Sequence, residues 1–266
     1  MTTRHPALFV GHGSPMTAIT DNPERRMLAE LGRRLPRPAA IVCITAHWET
    51  RGRTHLTAPG HPRTIHDFRG FPQELFDWRY PAESPAWLVA RLTRLIGPDR
   101  ALPDADWGYD HGVWGVLDLL FPGEHLPTVA LSLDRSLSPS GHLELGRQLA
   151  PLRNEGVMIV ASGNVIHNLA LWRQSQGIRP AWAETFRQRT TAAMLSGNDE
   201  ALLRLDPADE PAALSVNSAE HYLPLLYAAG ARLPGDAVAV FNDSLDGALS
   251  MTSYLLGDAA LAAGLQ

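Results

Sequence analysis

Short apolar runs rich in β-branched residues recur along the chain, and each is bounded by glycine, proline or charged residues. Four of these runs read ALFVG, AAIVCITA, PTVALSL and GVMIVASG. Runs of this length with breakers at both ends are typical of strands that are buried on both faces of a sheet. They therefore predict the central strands of one buried sheet.

Segments with leucine, alanine and arginine at helical spacing lie between these runs. They predict helices over residues 24–34, 85–96, 112–120, 140–152 and 182–195, and another that begins near Glu220. Two late segments, DAVAVFND and GALSMTSYLLG, predict a last pair of strands, for which an antiparallel arrangement is possible. Strands alternating with helices indicate an α/β fold, with a central mixed, largely parallel sheet flanked by helices on both faces. We expect residues 1–266 to form a single catalytic domain.

The composition and charge of the chain exclude some classes of binding partner. The chain has 266 residues, of which 45% are hydrophobic, and this is enough to bury a sizeable core. A net charge of -5 and scattered arginines give no basic surface for nucleic acid. The single cysteine, Cys43, lies in an apolar run and suits a reducing cytosol. Without a signal segment or a run of about 18 apolar residues, we expect a cytoplasmic protein with no membrane partner.

Five histidines stand in short motifs where a strand stops or a loop begins. They are His12 in GHGSP, His47 in ITAHWE, His111 in YDHGVWG, His167 in SGNVIHN and His221 in AEHYLPLL. The first, second and fourth follow or end predicted strands, and ligand sites in such sheets form outside the carboxyl ends of the strands. Neutral imidazoles suit zinc, iron, copper or nickel. The pattern therefore predicts one metal site.

Each motif also has an ordinary structural interpretation. The glycines around His12 suit a strand-to-helix turn, and His47 beside Trp48 suits a packed residue that caps a strand. His111 could begin a helix and bond to Asp110. The other histidines lie in polar or proline-rich settings, where we expect solvated or locally hydrogen-bonded side chains: His5, His55, His61, His125 and His142. His66 belongs to a separate loop motif.

Six stretches of the chain resemble the class III extradiol ring-cleaving dioxygenases, most closely the 4,5-DOPA extradiol dioxygenase branch. They are PALFVGHGSPM, ITAHWETRG, TIHDFRGFP, WGYDHGVWGVL, VASGNVIHNL and AEHYLPLLYAAG, in the family's order. The resemblance covers nearly the whole chain. It implies a non-haem metal site that opens an aromatic diol with dioxygen.

The resemblance implies His12 and His47 as metal ligands, with a third ligand from residues 218–222. Both Glu220 and His221 lie in this segment. The wider class uses a carboxylate as the third ligand, which would be Glu220, whereas the DOPA branch resembles a three-histidine site, which would use His221. We favour His221, which we expect at the edge of the apolar face of a helix, with Glu220 pointing further round. In its ordinary interpretation, Glu220 is a favourable carboxylate in the first turn of that helix.

The resemblance also implies His167 and His111 as the catalytic pair. Ring opening needs proton transfers, and a histidine that titrates near neutrality fits them. We assign acid/base duty first to His167. We expect His111 to bind the substrate oxygen or dioxygen and to share in proton transfer.

The loop over residues 64–72 carries aromatic and charged side chains in a glycine and proline frame that suits closure over an aromatic substrate. Its candidate substrate-binding residues are His66, Phe68, Arg69 and Phe71. Arg69 departs from the family pattern, in which glycine or tyrosine is expected. Its guanidinium could pair with a substrate carboxylate or simply face water.

The sequence therefore favours a metalloenzyme that opens a catechol such as DOPA, with one divalent metal per chain, Fe(II) or Zn(II), and dioxygen as co-substrate. Two other hypotheses remain at this stage. One is a zinc-dependent hydrolase that uses the same site to activate water. The other is a binding protein that keeps the fold without catalysis, against which the presence of all five histidines argues.

Overall fold

The predicted apolar runs form the middle of an eight-stranded sheet in a computed structural model, which describes residues 4–265. The strands are β1 Ala7–Gly11, β2 Ala40–Thr50, β3 Thr54–Thr57, β4 Ala101–Asp104, β5 Thr128–Asp134, β6 Val157–Gly163, β7 Ala237–Phe241, β8 Leu245–Asp246, β9 Leu249–Ser250 and β10 Ser253–Gly257. The sheet order is β4-β3-β5-β2-β6-β1-β10-β7, and β8 pairs with β9 separately.

The helices fill most of the connections. They are α1 Pro23–Arg34, α2 Gln73–Asp77, α3 Ala86–Ile96, α4 His111–Leu120, α5 Pro139–Leu149, α6 Leu169–Ser175, α7 Ala181–Ser196, α8 Asp199–Leu202, α9 Glu210–Ser215, α10 Leu223–Gly230 and α11 Ala259–Ala263. Two short 3-10 helices span Pro15–Ala18 and Ala150–Asn154. Among the described residues, no helix is long and apolar enough to span a membrane.

The sheet is mixed and mostly parallel, as predicted. Strands β1, β6, β2 and β5 run parallel in its centre. The late pair β7 and β10 is antiparallel, and β10 also runs antiparallel to β1. The carboxyl ends of the four central strands therefore meet at one edge, where loops can bring side chains together.

Apolar side chains alternate between the two faces of the sheet. Along β2, Val42 and Ile44 pack on one face, and Ile41 and Cys43 pack on the other. The first face is covered by α3, α5, α7 and α10, and the second by α1, α4 and α11. The structure is thus one α/β domain with helices on both faces of the sheet, and this confirms the predicted fold class.

Three predictions about local structure were wrong. The helix expected near Glu220 begins at Leu223, because Pro224 suits a first helical turn and cannot continue a helix from before it. Moreover, every residue of α10 is buried, so the helix has no apolar edge that could orient Glu220 and His221. His5 and His142 are buried and not solvated. The His142 ring lies 3.0 Å from the hydroxyl of Tyr227, 85 residues further along the chain.

Candidate metal centre

His12 directly follows the carboxyl end of β1 and lies in the site. Its backbone N–H donates to the carbonyl of Gly163 at the end of the neighbouring strand β6, over 3.0 Å. Its ring Nδ1 lies 2.9 Å from the hydroxyl of Ser162 on the same strand. The strand end and this hydroxyl together hold the ring with Nε2 free to face the other histidines.

An irregularity in β2 places His47 next to His12. Ile44 lies opposite Leu131 of β5 and Glu49 lies opposite Leu133, so residues 45–48 bulge against a single residue of the neighbour. Such bulges turn side chains towards sites at sheet edges. The Nε2 atom of His47 lies 3.1 Å from Nε2 of His12.

His221 lies in the turn before α10 and is held against the sheet. Its carbonyl accepts the backbone N–H of Asn164 over 2.7 Å. A Cβ at Gly163 would lie 2.2 Å from the same carbonyl, so this close approach requires glycine. The Asn164 side chain also donates to the carbonyl of His12 over 2.9 Å, which ties the two histidine segments together.

The three candidate ligands meet at one point. One nitrogen from each of His12, His47 and His221 lies within 4.8 Å of the others. Two imidazole nitrogens that each lie about 2.1 Å from one ion are about 3.0 to 3.4 Å apart, and the Nε2 atoms of His12 and His47 have such a separation. Glu220 instead contacts the outer nitrogen of His221, Nδ1, over 3.1 Å. The donor set therefore fits one transition-metal ion bound by three imidazoles.

The predicted catalytic pair flanks this cluster on two sides. The ring of His111 at the start of α4 lies 4.1 Å from that of His47, between centroids. The ring of His167 stacks on that of His221, with centroids 3.5 Å apart and planes at 7°. All five histidines singled out from the sequence thus come together at one edge of the sheet.

Asp67 joins two of these histidines and was missed by the sequence reasoning. Its Oδ2 lies 2.8 Å from Nδ1 of His47, and its Oδ1 lies 2.8 Å from Nδ1 of His111. His111 therefore bonds to Asp67 and not to Asp110, whose side chain instead caps α4 at Gly112. The available signal was a carboxylate inside the HDFRGFP motif, next to a residue that was singled out.

Burial keeps most of the cluster neutral. It lowers the pKa of His12 well below the usual value, and the pKa of His221 to about 4. Burial, followed by His221, lowers the pKa of His167 to about 3, so the expectation that His167 titrates near neutrality was wrong. For His47, the carboxylates of Asp67 and Asp110 outweigh burial and raise the pKa. Neutral imidazoles can bind a metal without first losing a proton.

Two of the three carboxylates beside the histidines, those of Glu220 and Asp67, are ionised, whereas burial raises the pKa of the third, that of Asp110. Burial would raise the pKa of Glu220, but the contact with His221 outweighs burial and lowers it to about 2. The hydrogen bond from His111 and the close contact with His47 likewise outweigh burial at Asp67 and hold its pKa well below the usual range. Negative charge therefore lies beside His47 and His221.

The loop residues lie at different distances from the cluster. The Phe68 ring lies 5.7 Å from that of His111 and 5.2 Å from that of Phe71, between centroids. His66 turns away, with Nε2 3.1 Å from the carbonyl of Trp78. Arg69 is exposed. Of the four candidate substrate-binding residues, Phe68 thus borders the histidines, beside Asp67 of the same loop.

Comparisons with known proteins identify the family of the chain. The family model described as the catalytic LigB subunit of aromatic ring-opening dioxygenase matches residues 1–248. A 4,5-DOPA dioxygenase extradiol of Escherichia coli K12 is 45% identical over 262 residues, covering 96% of each chain. One from Beta vulgaris is 33% identical over 254 residues, covering 92% of this chain and 94% of that protein.

A solved structure supports the same relationship. The crystal structure of an uncharacterized protein from Escherichia coli K12 superposes with a TM-score of 0.79 at 39% identity, and the match covers 96% of this chain and all of the other. Family, fold and histidine cluster thus agree. The chain belongs to the LigB family of class III extradiol dioxygenases and is a ring-opening enzyme of the 4,5-DOPA dioxygenase type.

Proposed function

We propose that the protein opens the ring of a DOPA-like catechol beside its two hydroxyls, with dioxygen as co-substrate. The observation that carries this proposal is the meeting of His12, His47 and His221 within 4.8 Å of one another. A three-ligand face leaves positions open on a metal for a bidentate catechol and dioxygen. The names of the curated relatives support DOPA as the first substrate to test. They favour ring opening over zinc-dependent hydrolysis or binding without catalysis.

The proposed ligands are His12, His47 and His221, with one Fe(II) per chain. Zinc suits three imidazoles equally well, but it has no redox chemistry, so zinc can occupy the site without serving the reaction. When bound, iron holds catechol and dioxygen together and makes electron transfer between them feasible. Side chains of the protein are proposed to bind the substrate and to transfer protons.

His167 is proposed as the group that moves protons. Burial and His221 lower its pKa to about 3, so the ring is neutral at pH 7, and its free nitrogen would accept the proton of a catechol hydroxyl that a bound metal makes more acidic. It can return that proton when the ring opens. The stacking contact with His221 keeps the accepting ring beside the proposed ligand set.

His111 is proposed to hold the reacting oxygens. Because its Nδ1 contacts Asp67, its Nε2 is the ring nitrogen left to face a substrate oxygen or dioxygen. The backbone N–H of His111 also donates to Asp67 over 3.1 Å, so the start of α4 and the loop are held together. This fixes the ring before substrate arrives.

The loop over residues 64–72 is proposed to cover the aromatic ring of the substrate. Phe68 and Phe71 supply an aromatic wall, and Arg69 is exposed on the same loop, where it is proposed to meet a side chain of the substrate. His66 would support this wall, since its ring contacts that of Phe68 at 5.9 Å between centroids. We further propose that residues 1–266 act as one catalytic domain in the cytoplasm, where the buried thiol of Cys43 stays reduced.

Dioxygen uptake tests the proposed function. Protein reconstituted anaerobically with Fe(II) is given L-DOPA, plain catechol and a resorcinol control, which lacks adjacent hydroxyls. We expect one dioxygen to be consumed for each catechol ring, a yellow ring-opened semialdehyde as product, and no reaction with resorcinol or with zinc-loaded protein. Turnover of the substrate without dioxygen, or no reaction with any catechol, would overturn the proposal.

A further inference from the structure

Each proposed ligand has an oxygen atom within 3.1 Å of its outer ring nitrogen. Nδ1 of His12 meets the Ser162 hydroxyl at 2.9 Å, and Nδ1 of His47 meets the Asp67 carboxylate at 2.8 Å. Nδ1 of His221 meets the Glu220 carboxylate at 3.1 Å. In all three rings Nε2 is left for the metal. A hydrogen-bond acceptor behind a ligand histidine fixes its tautomer and orientation and raises its basicity.

The partners differ in charge. Three neutral imidazoles bring no negative charge to a divalent ion, whereas the two-histidine, one-carboxylate arrangement brings one. Here two of the three imidazoles are backed by a carboxylate, and the third by a neutral hydroxyl. Both carboxylates are sheltered, with the Asp67 side chain 19% exposed and that of Glu220 22% exposed, so water screens their charge only in part.

We propose that Asp67 and Glu220 are positioning residues that supply, from outside the coordination sphere, the negative charge that a carboxylate ligand supplies elsewhere. The inference rests on the proposed ligand set of His12, His47 and His221. Negative charge behind the imidazoles makes them stronger donors to the metal. It also favours the higher oxidation state of iron over the lower one, because the higher state carries more positive charge.

Asp67 has a second task that Glu220 lacks. Its two oxygens are divided between the proposed ligand His47 and His111, which is proposed to hold the reacting oxygens, and the two rings lie 4.1 Å apart. One carboxylate thus sets the orientation of a metal ligand and of a reacting residue. Because Asp67 belongs to the loop over residues 64–72, the position of that loop and the geometry of the site are joined through this side chain.

The variants separate charge from orientation. Asp67→Asn and Glu220→Gln keep the size of the side chain and an oxygen that can accept, but they remove the charge. Ser162→Ala removes an orienting contact without a change of charge. Asp104→Asn is the matched control, because Asp104 contacts Nδ1 of His55 at 2.7 Å in the same kind of pair outside the candidate ligand cluster. Asp67→Glu keeps a negative charge at position 67.

Two quantities are measured on the full-length protein: the dissociation constant for Fe(II) under anaerobic chelator competition, and the Fe(III)/Fe(II) midpoint potential. Asp67→Asn and Glu220→Gln should each weaken Fe(II) binding by about 10- to 100-fold and raise the potential. Ser162→Ala should weaken binding without moving the potential, and Asp104→Asn should change neither. Asp67→Glu should bring the potential back towards that of the wild type.

The potential distinguishes this role from a merely structural one. If Asp67→Asn and Glu220→Gln have the same Fe(II) affinity and the same midpoint potential as the wild type, the proposal is overturned. That result would not contradict the proposed ligand set. If His221→Ala binds Fe(II) with full affinity, the proposed ligand set fails instead. Melting curves of the metal-free variants show whether a loss of binding is a loss of folding.

Discussion

The ring of His167 lies face to face on the ring of His221, with centroids 3.5 Å apart and planes at 7°. A proton on either ring would place positive charge against its stacked partner in a buried site. Burial, followed by His221, lowers the pKa of His167 to about 3, and burial lowers that of His221 to about 4, which the contact with Glu220 opposes only in part. Both rings are therefore neutral at pH 7, which leaves His221 free to bind a metal and His167 free to accept a proton.

Loss of a proposed ligand should empty the metal site. His12→Ala, His47→Ala and His221→Ala each remove one of three converging nitrogens, and we expect the metal content after reconstitution to fall at least about tenfold. Elemental analysis of the dialysed protein measures it. Glu220→Ala, which removes a contact with Nδ1 of His221, should lower the content less than His221→Ala does. Full metal in His221→Ala together with loss in Glu220→Ala would identify Glu220 as the third ligand.

Replacement of His167 should separate metal binding from turnover. His167→Ala should keep the metal, because its ring stacks on a proposed ligand without being one, and should lower kcat by about 10² to 10⁴. His167→Phe is the matched variant, since it keeps an aromatic ring over His221 but cannot carry a proton. Metal content and single-turnover rates are measured on both.

The two variants at position 167 answer different questions. If both lose turnover to a similar extent, the missing proton carrier is the cause. If His167→Phe turns over at the wild-type rate, the ring serves only to pack against His221, and the acid/base assignment is wrong.

The sequence predicted the centre of the fold well because the signal lies within each segment. A buried strand needs apolar side chains on both faces, and β1, β2, β5 and β6 carry them as continuous runs. Parallel strands then bring their carboxyl ends to one edge, so the meeting of His12 and His47 followed from topology. The edge strand β4 and its neighbour β3, of four residues each, carry too short a pattern to predict.

Contacts between distant segments could not be predicted in this way. Periodicity reports whether a residue is buried, and it does not report which distant atom meets it. Nothing in the pattern pairs Asp67 with His47 and His111, which lie 20 and 44 residues away. The same holds for Ser162 behind His12, and for the backbone contact that holds His221 against Asn164.

Arg69 tests substrate choice at the position where the sequence analysis expects glycine or tyrosine. Its side chain is exposed on the loop that carries Phe68. If it meets a carboxylate on the substrate, that charge-assisted bond contributes about 1.5 to 3 kcal/mol, or roughly ten- to hundredfold in binding. Arg69→Gly should then raise KM for carboxylated catechols such as L-DOPA and leave KM for plain catechol unchanged. Equal effects on the two substrates would reject the contact.

His142 should make the fold sensitive to acid independently of the metal centre. Its side chain is fully buried between α5 and α10, with Nδ1 3.0 Å from the Tyr227 hydroxyl. Burial lowers its pKa from 6.5 to about 4, and the carboxylate of Asp134 opposes this shift only in part. The unfolded chain therefore binds a proton at this residue at a higher pH than the folded chain does.

The sign of the effect follows from that difference. Above pH 6.5 His142 is neutral in both states, and between pH 6.5 and 4 only the unfolded state gains the proton, so stability is lost as the pH falls. Between pH 7 and 4 the wild type should lose about 2 to 3 kcal/mol more of its unfolding free energy than His142→Gln does. Urea titrations with a chelator present, so that metal release contributes to neither protein, measure the difference. His61→Gln is the control, because His61 is exposed and should leave the pH dependence as in the wild type. An equal loss in the wild type and His142→Gln would show that the proton on His142 does not drive acid unfolding.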